Sequence, residues 1–513
     1  MKKVLFLALY QLILINLLSA QIFIAPEGND TNSGTMEQPF ATFPKAISEA
    51  MPGDTIYVRG GTYDITCTIT ISTAKCGTED QLISLTAFND EIPILDFSGQ
   101  SFGSKGISLR SNYWHIKGLQ IKGAGDNGME INFGSNNIIE GCAFYENRDS
   151  GLQLCNGSAE NKIINCDSYY NADPTDYADA DGFAPKLTVG SGNYFYGCRS
   201  WCNCDDGWDG YLRGVDDVTT TLENCWTWGN GYLKDGTDPG PDANGNGFKM
   251  GGGDGGNSQQ LMHHNILINC VAFNNKNKGF DQNNNVGSMT LLNCTGYNNQ
   301  TANYRIQHAL NAGQTLIVKN CVSYDGNVQL GSFAIQETNS WLPPFVVTCD
   351  DFLSLDINLA AAPRQANGSL PDIDFLHLAP GSDLIDAGVD LGMPFNGTGP
   401  DLGAFESPDL SGIEVTDMLT PTSFRLDQNY PNPFNSTTVI NYQISDFSNV
   451  QLIIFNTTGQ LVRTLVAGKQ TAGSHAETWD GCDDTGQPIC SGVYLCQLQV
   501  GYQIQTRKLM LVK

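Results

Sequence analysis

A short phrase built on glycine returns six times along the chain: Asn127-Gly128-Met129, Ser150-Gly151-Leu152, Asp181-Gly182-Phe183, Asp206-Gly207-Trp208, Asn246-Gly247-Phe248 and Lys278-Gly279-Phe280. Aligned on the glycine, Asp181 and Asp206 hold the same position in successive copies. Two residues past it stand Glu130, Gln153, Ala184, Asp209, Lys249 and Asp281, so Asp209 and Lys249 are also neighbours. If the copies stack at the spacing of paired strands, these side chains lie within a few ångströms of one another. Four carboxylates, Asp181, Asp205, Asp206 and Asp209, then crowd onto two adjacent copies, where mutual repulsion would raise their pKa values or strain the turn. A hard cation resolves that conflict, and calcium, with its oxygen ligands and tolerant geometry, fits better than magnesium or zinc. The six scattered histidines further disfavour zinc. A single Asp-Gly turn says little, because such turns are common; the cluster beside a lysine carries the signal.

Something must hold those copies in register, and a second repeat supplies it. Cys142, Cys166, Cys198, Cys225, Cys270, Cys294 and Cys321 each have an aromatic residue three positions on. Asn147, Asn171, Asn203, Asn230, Asn275 and Asn299 follow five positions on, and only the last copy departs, to Gly326. The cysteines are 24, 32, 27, 45, 24 and 27 residues apart, a unit of about 24 with insertions, which marks a solenoid. Short β-branched and aromatic runs separated by Gly, Asn and Asp, without helical period, make each unit one coil of a parallel β-helix. The expected columns are cysteines and aromatics inside, and asparagines bonded from coil to coil at a bend. The seven repeat cysteines are expected to be reduced, buried apolar groups; Cys67 with Cys76, or Cys482 with Cys490, are the better disulfide candidates.

The rest of the chain frames this solenoid. Residues 1–20 read as a signal peptide: Lys2 and Lys3, a largely apolar run, then Ser19-Ala20 before Gln21. Residues 39–51 have helical composition and are placed to cap the first coil. The helix domain is expected to span residues 21–406, closing at Asp401-Leu-Gly-Ala-Phe-Glu406, with a linker over 407–422. Residues 423–513 show alternating strands and turn signals, which suit a small β-sandwich. The fold expected is therefore all-β, a right-handed parallel β-helix followed by a small C-terminal β-sandwich. With 27 Lys+Arg against 54 Asp+Glu, a net charge of −27, no general basic surface exists to hold nucleic acid. A polyanion could bind only where a cation reverses the local field.

Two resemblances add to this reading. The stretches Ala180-Asp-Gly-Phe-Ala-Pro-Lys186, Gly197-Cys-Arg-Ser-Trp201, Asp205-Asp-Gly-Trp-Asp209 and Asn246-Gly-Phe-Lys-Met-Gly251 resemble the polysaccharide lyase family 9 pectate lyases, over roughly residues 21–406. The resemblance implies that Asp181, Asp205, Asp206 and Asp209 bind calcium, that Lys249 is the Brønsted base, and that the partner is an acidic polysaccharide such as pectate. The long insert between Asp209 and Gly245 departs from the pattern and bears on which sugar subsites are filled. Asn429-Tyr-Pro-Asn-Pro-Phe-Asn435, Ser491-Gly-Val-Tyr494 and the ending Lys508-Leu-Met-Leu-Val-Lys513 resemble the C-terminal sorting domain of type IX secretion cargo. That implies a secreted or cell-surface protein, expected as a monomer, that meets the secretion machinery through its tail; a carbohydrate-binding or spacer module of the same fold is the alternative.

The implied chemistry is coherent on its own terms. A 4-linked uronate has an acidic C5 hydrogen, and removing it expels the C4 oxygen, with a cation on the carboxylate stabilising the developing charge. Lys249 can accept that proton only when neutral, well below its ordinary pKa of about 10.4. Asp209 alone would push it the wrong way. Lys186 is the next candidate base, and Lys186, Arg213 and Lys278 are candidates to hold substrate carboxylates. A β-helix glycosidase using Asp205 and Asp206 as paired carboxylates is the rival enzyme, but the Gly-His-Gly and Arg-x-Lys phrases of those hydrolases are missing. A surface protein that binds polysaccharide without cutting it is the second rival.

Overall fold

The computed structural model describes residues 19–408, 425–444, 448–457, 459–470, 473–500 and 503–512. The expected signal peptide up to residue 18 and the linker from residue 409 lie outside the described residues. The chain divides into two units, Met1–Pro408 and Asp409–Lys513.

The first unit is a right-handed parallel β-helix whose coils feed three parallel sheets of twelve, ten and ten strands. One coil runs Asn193–Tyr196, Arg199–Trp201 and Trp208–Asp209, and the next Val218–Glu223, Trp226–Trp228 and Phe248–Lys249. The register is the one the glycine phrase dictates: Met129, Leu152, Phe183, Trp208, Phe248 and Phe280 pair in line along one sheet, here called the site sheet. A short helix, Phe43–Glu49, covers the open first coil. Thr42 caps it by accepting from the Lys45 amide, and Phe43, Ala46 and Ile47 are buried in the solenoid core.

The cysteine column is interior as expected. The seven repeat cysteines are at most 1% exposed, and Thr295 N bonds to Cys270 O at 2.9 Å, which sets Cys270 and Cys294 on adjacent coils. The asparagine column is continuous, each amide Nδ2 donating to the Oδ1 of the next from Asn147 through Asn171, Asn203, Asn230 and Asn275 to Asn299, at 2.8–3.0 Å. Where the last copy has Gly326, Asn303 takes the rung: Asn299 Nδ2 donates to it at 2.9 Å, and a Cβ on residue 326 would stand 2.5 Å from the Asn303 amide. A second, shorter column, Asn137–Asn161–Asn193, sits at the preceding bend with bonds of 3.0 Å.

The aromatic column corrects an expectation. Strand side chains alternate between faces, so residues three apart cannot both point inward within one extended run. Phe144, two past Cys142, turns into the core, while Tyr145 turns out. Tyr145, Tyr169, Trp201, Trp228 and Phe273 therefore stack on the outside of the coils, at centroid distances of 4.3–5.4 Å. Residues beyond the last solenoid strand, Ile335–Glu337, run back over this column; Phe375 meets Phe273 edge-on at 4.7 Å, and Leu376, Leu378 and Leu384 complete a second apolar cluster there. The cover is pinned by ions: Asp167 accepts from both Arg199 and Arg364, at 2.9 and 2.7 Å. Burial pushes the Asp167 carboxyl up, but the two guanidinium groups outweigh it and hold it below the usual carboxylate range.

The second unit has two antiparallel sheets. Arg425–Leu426, Thr438–Ile444 and Gly473–Trp479 form one, and Leu461–Gln470, Ser448–Asn456, Gly492–Val500 and Gln503–Leu511 the other, around a core that includes Phe434, Tyr442, Leu452, Trp479 and Leu498. All sixteen cysteines are free thiols. The expected Cys67–Cys76 and Cys482–Cys490 bridges are not formed; Cys76 Sγ instead lies 3.1 Å from Ser111 Oγ, and Cys482 Sγ turns to the Asp480 carbonyl.

Candidate active site

The site rests on an aromatic plug. Phe183, Trp208, Phe248, Phe280 and Tyr304 point inward from the site sheet and stack at 4.7–5.3 Å. Alternation then turns the residues that follow Trp208 and Phe248, Asp209 and Lys249, out of the sheet side by side. The glycines before the plug are required by space: a Cβ on Gly182 or Gly207 would lie 2.0 Å from Ser200 Oγ or Thr227 Oγ1, hydroxyls that brace the asparagine column. The carboxylates just ahead of these glycines are thereby drawn against the coil.

Asp181, Asp206 and Asp209 each present one carboxylate oxygen to a common point, all three within 4.8 Å of one another. Asp206 Oδ1 accepts from Asn246 N at 2.7 Å and Asn246 Nδ2 at 2.8 Å, while its Oδ2 faces Lys249 Nζ at 3.0 Å. Lys249 Nζ also lies 3.4 Å from Asp209 Oδ1. Asp181 Oδ1 accepts from the Asp206 amide at 3.1 Å, and its Oδ2 meets Lys186 Nζ at 2.7 Å; Lys186 is 3.6 Å from Asp209 as well. Asp205 is buried beside them, its Oδ1 accepting from Asn244 N at 2.7 Å, and is outside the converging three.

Burial sets the electrostatics and neighbours decide its sign. Burial and the other three aspartates push Asp181 well up, against the pull of Lys186. Burial and Asp206 push Asp205 up to about 7, and burial raises Asp206 despite Lys249. Burial would raise Asp209 too, but Lys249 and Lys186 outweigh it and hold it low. For both lysines burial favours the neutral form, yet the surrounding carboxylates win and hold them charged well above their ordinary range. With all four carboxylates ionised, two ammonium groups would leave two negative charges, the charge one divalent cation cancels. An all-oxygen donor set with that balance fits calcium.

The site opens into a groove of about 300 Å³ whose walls include Asp149, Gln153, Asp179 and Tyr211. Of the three further candidates, Lys186 lines this groove, largely buried and ion-paired with Asp181 at 2.7 Å. Arg213 stands on the rim, exposed and paired with Asp254 at 3.1 Å. Lys278 lies in a separate hollow, paired with Asp281 at 3.0 Å. Asn246 and Tyr211 were not singled out from the sequence. Asn246 was within reach, since it occupies the position of Asp206 one coil on; Tyr211, whose ring centre is 5.8 Å from Lys249 Nζ, is given away by no repeat.

Comparison with known proteins bears on the whole solenoid. A family profile described as "Pel9A-like, right handed beta helix region" matches residues 22–329, and one for an FlgD Ig-like domain matches residues 432–503. The chain is 40% identical over 399 residues to pectate lyase L of Paenibacillus polymyxa, covering 73% of this chain and 85% of that protein. It is 38% identical to pectate lyase L of Dickeya chrysanthemi, covering 75% and 90%. Among solved structures, pectate lyase Pel9A aligns with a TM-score of 0.69 at 36% identity, covering 76% of this chain and 97% of that one. A rhamnogalacturonan lyase aligns with a TM-score of 0.61 at 26% identity, covering 70% and 96%.

Proposed function

The chain belongs to the Pel9A-like right-handed β-helix family and is a pectate lyase, and we propose that it cleaves 4-linked polygalacturonate by β-elimination, with Lys249 as the base and calcium held by Asp181, Asp205, Asp206 and Asp209. The observation that carries this reading is the convergence of three buried carboxylate oxygens beside an ammonium group 3.0 Å from one of them. Calcium held by these aspartates would supply positive charge that offsets theirs and stabilises the charge developing on a uronate carboxylate.

The protein's own part is to prepare Lys249. While Asp206 and Asp209 face it, the ammonium stays charged and cannot accept a proton. Once those carboxylates are otherwise occupied, burial is the dominant pull on Lys249, and it acts toward the neutral amine. Lys249 Nζ then takes the C5 proton, the C5–H pair becomes the C4–C5 double bond, and the C4–O bond breaks with its pair on the departing oxygen. Asn246 fixes Asp206 by two bonds, and Trp208 and Phe248 lock the backbone beneath, so the base is held in place before substrate arrives. We read residues 1–20 as a signal peptide and residues 423–513 as a sorting domain that meets the secretion machinery; removing residues 423–513 should leave activity trapped with the cells.

The test is spectrophotometric. Purified protein on polygalacturonate should release a product with the ultraviolet absorbance of an unsaturated uronide, lose that activity in excess chelator, and regain it with calcium. Asp206→Ala should weaken calcium binding by tenfold or more in a direct titration. Full activity at complete metal removal refutes the calcium role.

A further inference from the structure

Along the outward row that carries the base, Lys249 pairs with Asp281, and Asp281 with Arg305 on the next coil. Two coil steps of about 4.8 Å put Arg305 about 10 Å from the base along the same sheet. There it lines a polar hollow of about 360 Å³ with Lys278, Asp281, Gln282, Asn283 and His308. Asp281 is engaged by Lys278 at 3.0 Å, so the hollow's one carboxylate is already neutralised. The exposed Arg305 guanidinium has no ion-pair or hydrogen-bond partner among the described residues. The loop around it is braced rather than loose: buried Gln282 donates to the His308 carbonyl at 2.9 Å and accepts from the His308 amide at 2.8 Å. In the other direction from the base the same row reads Ala184, Gln153 and Glu130, with Asp149 and Asp179 on the groove wall, and the two further cations that line this groove, Lys186 and Arg213, are ion-paired with Asp181 and Asp254.

We propose that this hollow is a second carboxylate subsite, in which Arg305 clamps the carboxylate of a uronate further along the same polymer, so that substrate extends from the base toward the C-terminal coils. The proposal rests on the pectate lyase reading and adds a direction and a recognising group to it. A guanidinium presents a planar fork that matches a carboxylate with two parallel hydrogen bonds, and esterification of that carboxylate removes its charge.

The test measures binding apart from cleavage. In a Lys249→Ala background, Arg305→Gln should weaken affinity for unesterified polygalacturonate in calcium, read by affinity electrophoresis, about tenfold or more. It should leave affinity for fully methyl-esterified pectin unchanged, and Arg305→Lys should recover part of the loss. Single Arg305 variants, read as KM on unesterified polymer with kcat nearly constant, give the same answer if the double variant does not fold. Unchanged affinity, or an equal loss on the esterified polymer, overturns the subsite. A wild-type protein that yields no unsaturated product while Arg305→Gln still weakens binding would overturn the lyase reading and leave the subsite standing.

Discussion

The asparagine column and the aspartate–lysine cluster are built by the same device and end in opposite states. Both come from placing like residues at one position in successive coils. An amide carries a donor and an acceptor, so Asn203, Asn230 and Asn275 satisfy one another indefinitely and the column is neutral, buried and self-completing. A carboxylate only accepts. The carboxylates of Asp181 and Asp206, stacked in the same manner further along the same turns, cannot bond to each other and draw on Asn246, two lysines and backbone amides instead. One pair of terminal atoms thus separates a spine that needs no ligand from a site that is left two charges short.

Exchanging the two chemistries breaks the comparison most severely. Asn230→Asp removes the donor to Asn275 Oδ1, 2.9 Å away, and buries an unpaired charge; it should cost about 3–5 kcal/mol, read from the denaturation midpoint. At the cluster, Lys249→Arg keeps the charge balance but cannot give up its proton. Turnover should fall 100-fold or more, roughly 2.7 kcal/mol of barrier, with the melting temperature nearly unchanged. An active arginine variant would move the base elsewhere, with Lys186 next in line. Asn275→Ala leaves the column uncharged and interrupted, at about 1–3 kcal/mol.

The smallest effect is a pH dependence that only the cluster can have. Burial and Asp206 raise Asp205 to about 7 in the folded chain against an ordinary 3.8, so the folded state binds that proton more tightly than the unfolded one, and its stability falls as pH rises through that window. Metal-free protein should gain about 1 kcal/mol between pH 8 and pH 6, and saturating calcium should abolish the gain. A pH-independent melting temperature without metal would place Asp205 outside the coupled group.

How much of this could be read from the sequence follows from what repeats. Rows one coil apart were legible because stacking preserves position, which is why Asp209 and Lys249 are neighbours in the structure. The aromatic column was misplaced because position along a coil was followed while strand alternation was not; Tyr145 is three residues from Cys142 and faces the other way. The Asn137–Asn161–Asn193 column was present in the sequence five residues before Cys142, Cys166 and Cys198, but only Asn265 repeats it among the remaining four copies, and it passed unseen. Lys186 was not derivable by rows at all. Its long side chain reaches across to lie between Asp181 and Asp209, a contact set by length and burial rather than by register.

The outward aromatic column has a consequence for the order in which the molecule is made. A solenoid of nearest-neighbour coils can assemble vectorially, each coil resting on the one before. Here Trp201, Trp228 and Phe273 are in place as soon as their coils form, yet the apolar residues that cover them, Phe375, Leu376, Leu378 and Leu384 among them, come from beyond the last solenoid strand, and Arg364 reaches back 197 residues to Asp167. The growing rod therefore carries a stripe of stacked rings open to water until its last segment folds over Trp201, Trp228 and Phe273.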